Sequence, residues 1–145
     1  MTNSRNNDFI RANDLITEIF GQPVSVYTRA QGIEDGVLVD VTAQAADGPG
    51  GMLGGFYAPV ALTAAVWALI EAIPASLEGI ADTRGRLHDV LWMARLAANR
   101  GGSSTDYVVM LPAKGTRKRN QTLRMVAGPG DAGELVITIG LPEDF

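Results

Sequence analysis

The chain has 145 residues, of which 46% are hydrophobic and 19% are charged; its net charge is −4 and it contains no cysteine. This length and composition predict one domain with a substantial core and exclude wholesale disorder. The lack of cysteine excludes disulfides, thiolate nucleophiles and cysteine zinc sites. No apolar run is long enough for a membrane span, so we expect a cytoplasmic protein that does not associate with membranes.

Charge is distributed unevenly along the chain. Residues 1–83 carry a net charge of −7, residues 84–124 carry +7, and residues 125–145 carry −4. This asymmetry predicts a dipolar surface that steers a charged partner, unless folding mixes the three segments and the fields cancel.

The first third of the chain predicts helices, one strand and a loop. Residues 1–7 should fray, and residues 8–20 show the apolar spacing of a helix. The stretch 27–41, YTRAQGIEDGVLVDV, predicts a short helix that Thr28 caps and a left-handed glycine ends, followed by a β-rich segment. Five glycines and one proline in residues 43–55 predict a flexible loop.

The rest of the chain changes from helical to strand periodicity. We expect a helix from Pro59 to Pro74, with an inner stripe that includes Leu62, and a longer helix after Thr83. Three strands follow, at residues 107–111, 122–126 and 135–139, and their short connections suit antiparallel hairpins. The order predicts an α+β fold over residues 1–145, with helices packed on one face of a mainly antiparallel sheet of three to four strands.

Motifs that suggest enzymatic chemistry are incomplete in this sequence. Residues 128–133, GPGDAG, match the dinucleotide pattern GxGxxG, but a strand follows where the pattern needs a helix, so they predict a hairpin turn. Asp89 could orient His88 as a general base, but the sequence has neither a GxSxG motif nor a cysteine to supply the nucleophile. Asp35, Asp40 and Asp47 leave a carboxylate-only magnesium site open, although their spacing suits exposed edge charges better. We therefore predict no catalytic residue, no metal site and no cofactor.

The most anomalous local feature lies at the end of the short helix. Glu34 and Asp35 occupy the C-terminal end, where the helix dipole disfavours anions, and broken local rules are expected at functional sites. We therefore predict a partner-binding site. Its candidate residues are Arg29, Glu34, Asp35, Asp40 and Asp47.

Several motifs together resemble an uncharacterised bacterial domain family. They are YTRAQGIEDGVLVDVT, PVALTAAVW, GRLHDVLWMA and GPGDAGELVITIGLPEDF, and the resemblance covers roughly residues 18–145. The family occurs on plasmids, phages and other mobile elements, and it has no activity to carry over. Its setting implies an accessory protein that acts in the cytoplasm of a bacterial host. We expect it to bind a host protein complex, such as a nucleic-acid-binding CRISPR–Cas or restriction complex, and to inhibit it.

Two alternatives remain open. The 27–40 stretch resembles the opening of ADP-ribosyltransferase folds, which implies an NAD-using enzyme with Tyr27, Arg29 and Glu143 in its site. The segment KGTRKRN with the arginine after it predicts a basic hairpin that contacts nucleic acid, although the net negative charge makes direct nucleic-acid binding the weaker expectation. The cations of that hairpin are Lys114, Arg117, Lys118, Arg119 and Arg124.

Overall fold

A computed structural model of the chain describes residues 27–46 and 55–145. The chain divides into two compact units, Met1–Gly32 and Ile33–Phe145. The predicted frayed segment 1–7, the predicted helix over residues 8–20 and the central part of the predicted glycine-rich loop lie outside the described residues.

The described part of the chain contains four α-helices and five strands. The helices are α1 (Arg29–Glu34), α2 (Thr42–Ala46), α3 (Ala64–Glu71) and α4 (Thr83–Ala97). The strands are β1 (Leu38–Asp40), β2 (Val60–Thr63), β3 (Ser104–Met110), β4 (Asn120–Pro129) and β5 (Leu135–Gly140). Short 3-10 turns lie at Ala75–Leu77, Ala98–Arg100 and Pro142–Asp144.

The five strands form one sheet in the order β1-β2-β5-β4-β3. All neighbours are antiparallel except β2 and β5, which run parallel. The predicted α+β class, the mainly antiparallel sheet and the two C-terminal hairpins are thereby confirmed. The sheet has five strands where the sequence predicts three to four.

The additional strand is β2, which the sequence predicts to be the start of a helix. Val60, Ala61 and Leu62 are each 0% exposed, and β2 is hydrogen-bonded to neighbours on both sides. A strand buried in this way is a continuous apolar run, and such a run cannot be told from a buried helix by periodicity. The helix begins later, at Ala64, where the Thr63 side chain accepts a hydrogen bond from the Val66 amide at 3.4 Å.

Helix α2 also differs from the expectation, because residues 43–46 were predicted to be part of a flexible loop. Asp40 Oδ1 accepts a hydrogen bond from the Thr42 amide at 3.0 Å and so helps the chain to enter the helix. Ala45 is fully buried, and its carbonyl accepts a hydrogen bond from the Phe56 amide at 2.9 Å. The small alanines of TAQAA thus allow close packing at the start of a glycine-rich stretch.

The core contains apolar side chains from α3, α4 and the strands, including Ile70, Val90, Leu123 and Ile139. Arg86 is also buried there, with only 5% of its surface exposed. Its Nε donates to the carbonyl of Ile70 and its Nη2 to that of Leu69, both at 2.8 Å. These carbonyls belong to the last turn of α3, and that of Leu69 also accepts from the Ala72 amide at 3.3 Å. The guanidinium completes the capping of that helix end.

Candidate functional site

The end of α1 and the turn after it form a run of exposed residues, which we call the acidic turn (residues 33–37). Ile33 is 36% exposed and Val37 is 50% exposed, and between them Glu34 and Asp35 are exposed as well. Gly36 has a φ of +81°, a conformation that favours glycine, and its amide donates to the Ile33 carbonyl at 3.2 Å. The turn thus presents two carboxylates together with two apolar side chains.

The acids of the predicted site do not all have the same environment. Glu34 and Asp35 are neighbours within the acidic turn, whereas Asp40 lies at the far end of β1. The Asp40 carboxylate is exposed and accepts hydrogen bonds from both the amide and the hydroxyl of Thr42. Asp40 therefore has a structural role at the start of α2 in addition to any role in binding.

The other two predicted site residues are Arg29 and Asp47. Arg29 is the first residue of α1 and belongs to the unit Met1–Gly32. Within that unit the predicted cap is present, because the Thr28 hydroxyl accepts from the Gln31 amide at 3.0 Å and the Gln31 side chain accepts from the Thr28 amide at 2.8 Å. Asp47 lies outside the described residues.

The predicted hairpin turn at residues 128–133 is confirmed. Strand β4 extends to Pro129 and β5 begins at Leu135, so no helix follows the GxGxxG pattern. The Gly130 amide donates to the Glu134 carbonyl at 2.6 Å, and Gly133 has a φ of +86°. The pattern here is a tight turn without the helix N-terminus that a pyrophosphate needs.

His88 lies on the surface of α4 beside Asp89 and Trp92. Its Nδ1 is 3.4 Å from Asp89 Oδ1, and its ring stacks on Trp92 with centroids 6.0 Å apart and planes 16° apart. Within residues 27–46 and 55–145, no group of three or more His, Cys, Asp or Glu side chains is arranged to hold a metal ion.

The C-terminal turn is organised around Asp144, which the sequence analysis did not single out. Asp144 Oδ2 accepts hydrogen bonds from the Thr63 hydroxyl at 2.7 Å and from the Leu141 amide at 2.8 Å. Glu143, the residue suggested by the ADP-ribosyltransferase resemblance, is exposed in the same turn. A proline followed by two acids in LPED is a helix-start pattern, and it could have indicated the role of Asp144.

The loop between β3 and β4 carries exposed cations, and we call residues 114–119 the basic tip. Lys114, Arg117, Lys118 and Arg119 are all exposed there. Arg124 does not share this position. It lies within β4 directly opposite Asp106 of β3, with Nε 2.6 Å from Asp106 Oδ1 and Nη2 3.1 Å from Oδ2.

This two-pronged pairing lowers the pKa of Asp106 and raises that of Arg124, in each case mainly through the hydrogen bond between them. It also neutralises Arg124. Of the five cations predicted to act together, only those of the basic tip remain as a group.

The basic tip is braced by hydrogen bonds at its base. Gln121 is only 7% exposed, and its Nε2 donates to the carbonyls of Leu111 at 3.3 Å and Lys118 at 3.2 Å. The Lys114 amide donates to the Ala72 carbonyl at 2.8 Å, which ties the tip to the end of α3. These hydrogen bonds fix the base of the loop that carries the cations.

Comparison with known proteins gives a family. In the described part of the chain, no helix combines the length and apolar character needed to cross a membrane. No curated protein and no solved structure matches the chain. A family model described as "Family of unknown function (DUF6573)" matches residues 6–145. The match covers nearly the whole chain, including every element described above, and the chain therefore belongs to the DUF6573 family.

Proposed function

We propose that this protein is an accessory factor of a mobile element that binds a host defence complex in the bacterial cytoplasm and inhibits it. The observation that carries the proposal is the acidic turn. Exposed apolar side chains beside charges are typical of protein-interaction sites, where apolar contacts supply affinity and charges supply orientation.

The chemistry of the acidic turn suits a basic partner surface. Defence complexes such as CRISPR–Cas effectors and restriction enzymes hold nucleic acid in positively charged channels. Two adjacent carboxylates, Glu34 and Asp35, can replace two phosphates of a nucleic acid in such a channel. Ile33 and Val37 then add contacts that a nucleic acid lacks, and these contacts would keep the protein bound at physiological salt.

The placement of Glu34 at the end of α1 also favours a role in binding. At the end of α1 the helix dipole disfavours negative charge by typically 0.3–1 kcal/mol per group. Lysine would stabilise the helix at this position. An acid at Glu34 is therefore consistent with a role outside the fold.

The proposal is tested in bacteria that carry one active defence system and express this chain. Phage plating or plasmid transformation should rise with the wild-type protein and should return to the level of the empty vector with the variant Glu34→Lys, Asp35→Lys. The matched control is Glu71→Lys, Glu78→Lys, which makes the same change in net charge at two other exposed acids.

The same variants should be compared for binding to the purified defence complex at low and moderate salt. If neither CRISPR–Cas nor restriction is relieved and no complex binds the wild-type protein, the proposal is wrong. If the control variant loses activity as much as the Glu34, Asp35 variant does, overall charge matters and the acidic turn is not the contact.

A further inference from the structure

We propose that the outer edge of β3 is a second interaction surface, which binds an extended acidic peptide segment of a partner protein as an added strand. The proposal goes beyond the inhibitor function, because it involves the opposite end of the sheet and does not depend on the acidic turn. Strand addition of this kind obtains affinity from backbone hydrogen bonds and specificity from alternate side chains.

The direction of the backbone groups follows from the hydrogen bonds that flank β3. The Leu111 amide donates to the Arg119 carbonyl, and the Ala127 amide donates to the Ser103 carbonyl, both at 2.8 Å. In an antiparallel ladder, hydrogen-bonded pairs alternate with non-hydrogen-bonded pairs. The amides and carbonyls of the odd-numbered residues of β3 therefore point towards β4. The even-numbered residues, among them Val108 and Met110, direct their amides and carbonyls to the outside.

A side-chain hydrogen bond independently supports this assignment of outward-facing residues. Arg100 Nη1 donates to the carbonyl of Asp106 at 2.6 Å, which requires that this carbonyl point away from β4. The arginine thereby occupies the first part of the edge. Beyond it, the amide and carbonyl of Val108 and of Met110 face outward, and among the described residues no strand pairs with them.

Among the described residues, the edge lacks the features that usually prevent strand addition. Proteins protect long edges with prolines, bulges or lysines on the edge strand. In β3 the register is unbroken from Ser104 to Met110, the strand contains no proline, and its one charged side chain, Asp106, is paired with Arg124. Val108 is 50% exposed and Met110 is 62% exposed, and they offer an apolar strip on the same face.

The charge next to this edge identifies the kind of partner. The basic tip begins just after Met110, and the braces made by Gln121 hold it before a partner arrives. A strand added antiparallel to β3 would place its N-terminal end beside these cations. Acidic residues there, followed by alternating apolar residues that meet Val108 and Met110, match both parts of the surface.

A second copy of the chain fits less well. If two copies paired antiparallel along β3, the basic tip of each would lie near the start of the other β3, where Arg100 lies. Like charges would then meet at both ends of the pairing.

The test uses the full chain and a synthetic probe, a fluorescent peptide of about nine residues with acids at its N-terminal end and alternating valine and threonine after them. We expect saturable binding by fluorescence anisotropy. Val108→Pro should weaken probe binding roughly tenfold or more. Proline removes one outward amide donor and restricts the φ angle of the strand at this position. Proline is tolerated at such a position, since the lost amide is not in the β3–β4 ladder.

The matched control is Val108→Thr, which keeps the amide and the β-branched shape and should bind nearly as well as the wild type. A second pair of variants tests the charge. Lys118→Glu should weaken binding and reduce its salt dependence, whereas Arg84→Glu, an equal change at another exposed cation, should not. A probe in which lysines replace the acids should bind more weakly than the acidic probe.

If Val108→Pro does not fold, amide hydrogen exchange in the wild-type protein decides the matter. The amides of Val108 and Met110 should exchange rapidly in the free protein and become protected when the acidic probe is added. Three outcomes would overturn the proposal: no saturable binding of the probe, protection confined to other residues, or binding of an oligonucleotide but not of the probe. Concentration-dependent dimerisation that Val108→Pro abolishes, without probe binding, would assign the edge to a second copy. None of these results bears on the defence assay of the acidic turn.

Discussion

At the scale of single residues, Arg86 carries a permanent positive charge into the core of the molecule. Burial lowers the pKa of its guanidinium, while the nearby charge of Asp89 acts in the opposite direction. The side chain remains charged at any ordinary pH. Its two hydrogen bonds to the end of α3 compensate for the lost hydration, which is the condition under which buried charges are tolerated.

Replacing Arg86 by methionine should therefore destabilise the fold by roughly 1–3 kcal/mol, because the Ile70 carbonyl loses its donor and the Leu69 carbonyl keeps only the Ala72 amide at 3.3 Å. Arg86→Lys should recover only part of this loss, since one ammonium lacks the planar fork that serves both carbonyls. Urea unfolding of the three proteins measures the difference. The control Arg84→Met, at an exposed position of the same helix, should change the free energy of unfolding by less than about 0.5 kcal/mol.

The pair between Asp106 and Arg124 gives a pH dependence with a definite sign. The folded-state pKa of Asp106 lies below its ordinary value of 3.8. A depressed carboxyl pKa stabilises the fold at pH values above the unfolded pKa, and this contribution is lost as the pH falls through the folded one.

We therefore expect Asp106→Asn to lower the urea midpoint at pH 7 and to converge with the wild type as the pH falls below about 4. Glu78→Gln is the comparison at each pH. It removes one exposed carboxylate that is not paired with any described arginine. A difference between Asp106→Asn and wild type that stays constant down to pH 3 would contradict this account.

At the scale of elements, the C-terminal turn depends on a glycine in β5. A Cβ added at Gly140 would lie 2.7 Å from Thr63 Cγ2, 2.9 Å from Phe145 Cε2 and 3.0 Å from Asp144 Oδ2. The first of these atoms belongs to a β-branched side chain on a neighbouring strand, which has little freedom to move. Only glycine lets the turn fold back against β2 at this point.

Gly140→Ala should therefore destabilise the protein by about 1–3 kcal/mol through overpacking and should loosen the bond between Thr63 and Asp144. Gly128→Ala is a close control, because Gly128 is also in a strand and a Cβ there meets nothing within 4 Å. It should be neutral or slightly stabilising. Thermal unfolding of both variants, with the wild type beside them, checks the prediction; equal melting temperatures would contradict it.

The elements that sequence reasoning found are those with local signals. Both C-terminal hairpins combine alternating strands with turn residues such as Gly133, and α4 has a regular apolar stripe such as Leu87, Val90 and Leu91. Strand β2 was missed because burial on both sides hides its period. Its parallel pairing with β5 joins segments far apart in sequence, and no local pattern specifies such a partner.

The same distinction applies to the candidate site. The candidate binding role of Glu34 and Asp35 was predicted from their conflict with the helix dipole, which is a local signal. The neutralisation of Arg124 by Asp106 depends on the register between two strands, and a shift of one residue would have left both charges apart. The position of β3 at the edge of the described sheet is a property of the strand order, so it could not be predicted before the sheet was known.

At the scale of the whole molecule, the two proposed surfaces have opposite charge. The acidic turn precedes β1 at one end of the strand order, and the basic tip follows β3 at the other. The uneven charge along the sequence thus survives at least in part in the folded sheet. The two sites share no strand, so each can be changed by mutation independently of the other.

If the acids serve the partner and not the fold, Glu34→Lys, Asp35→Lys should keep or slightly raise the melting temperature while it abolishes binding to the defence complex. The rise follows from the helix dipole, which favours cations at this end. Calorimetric melting and affinity measured on the same preparation separate the two effects. Retained affinity with a normal melt would remove the acidic turn from the binding site.

The central position of β5 has a consequence for the synthesis of the protein. Among the five described strands, β5 is the last to be synthesised, yet it lies between β2 and β4. Until residue 140 has emerged, the edges of β2 and β4 that pair with β5 remain open in addition to the outer edges of β1 and β3. Products of premature termination would keep those edges, and we expect them to aggregate or be degraded, so that only chains translated through β5 accumulate in the cell.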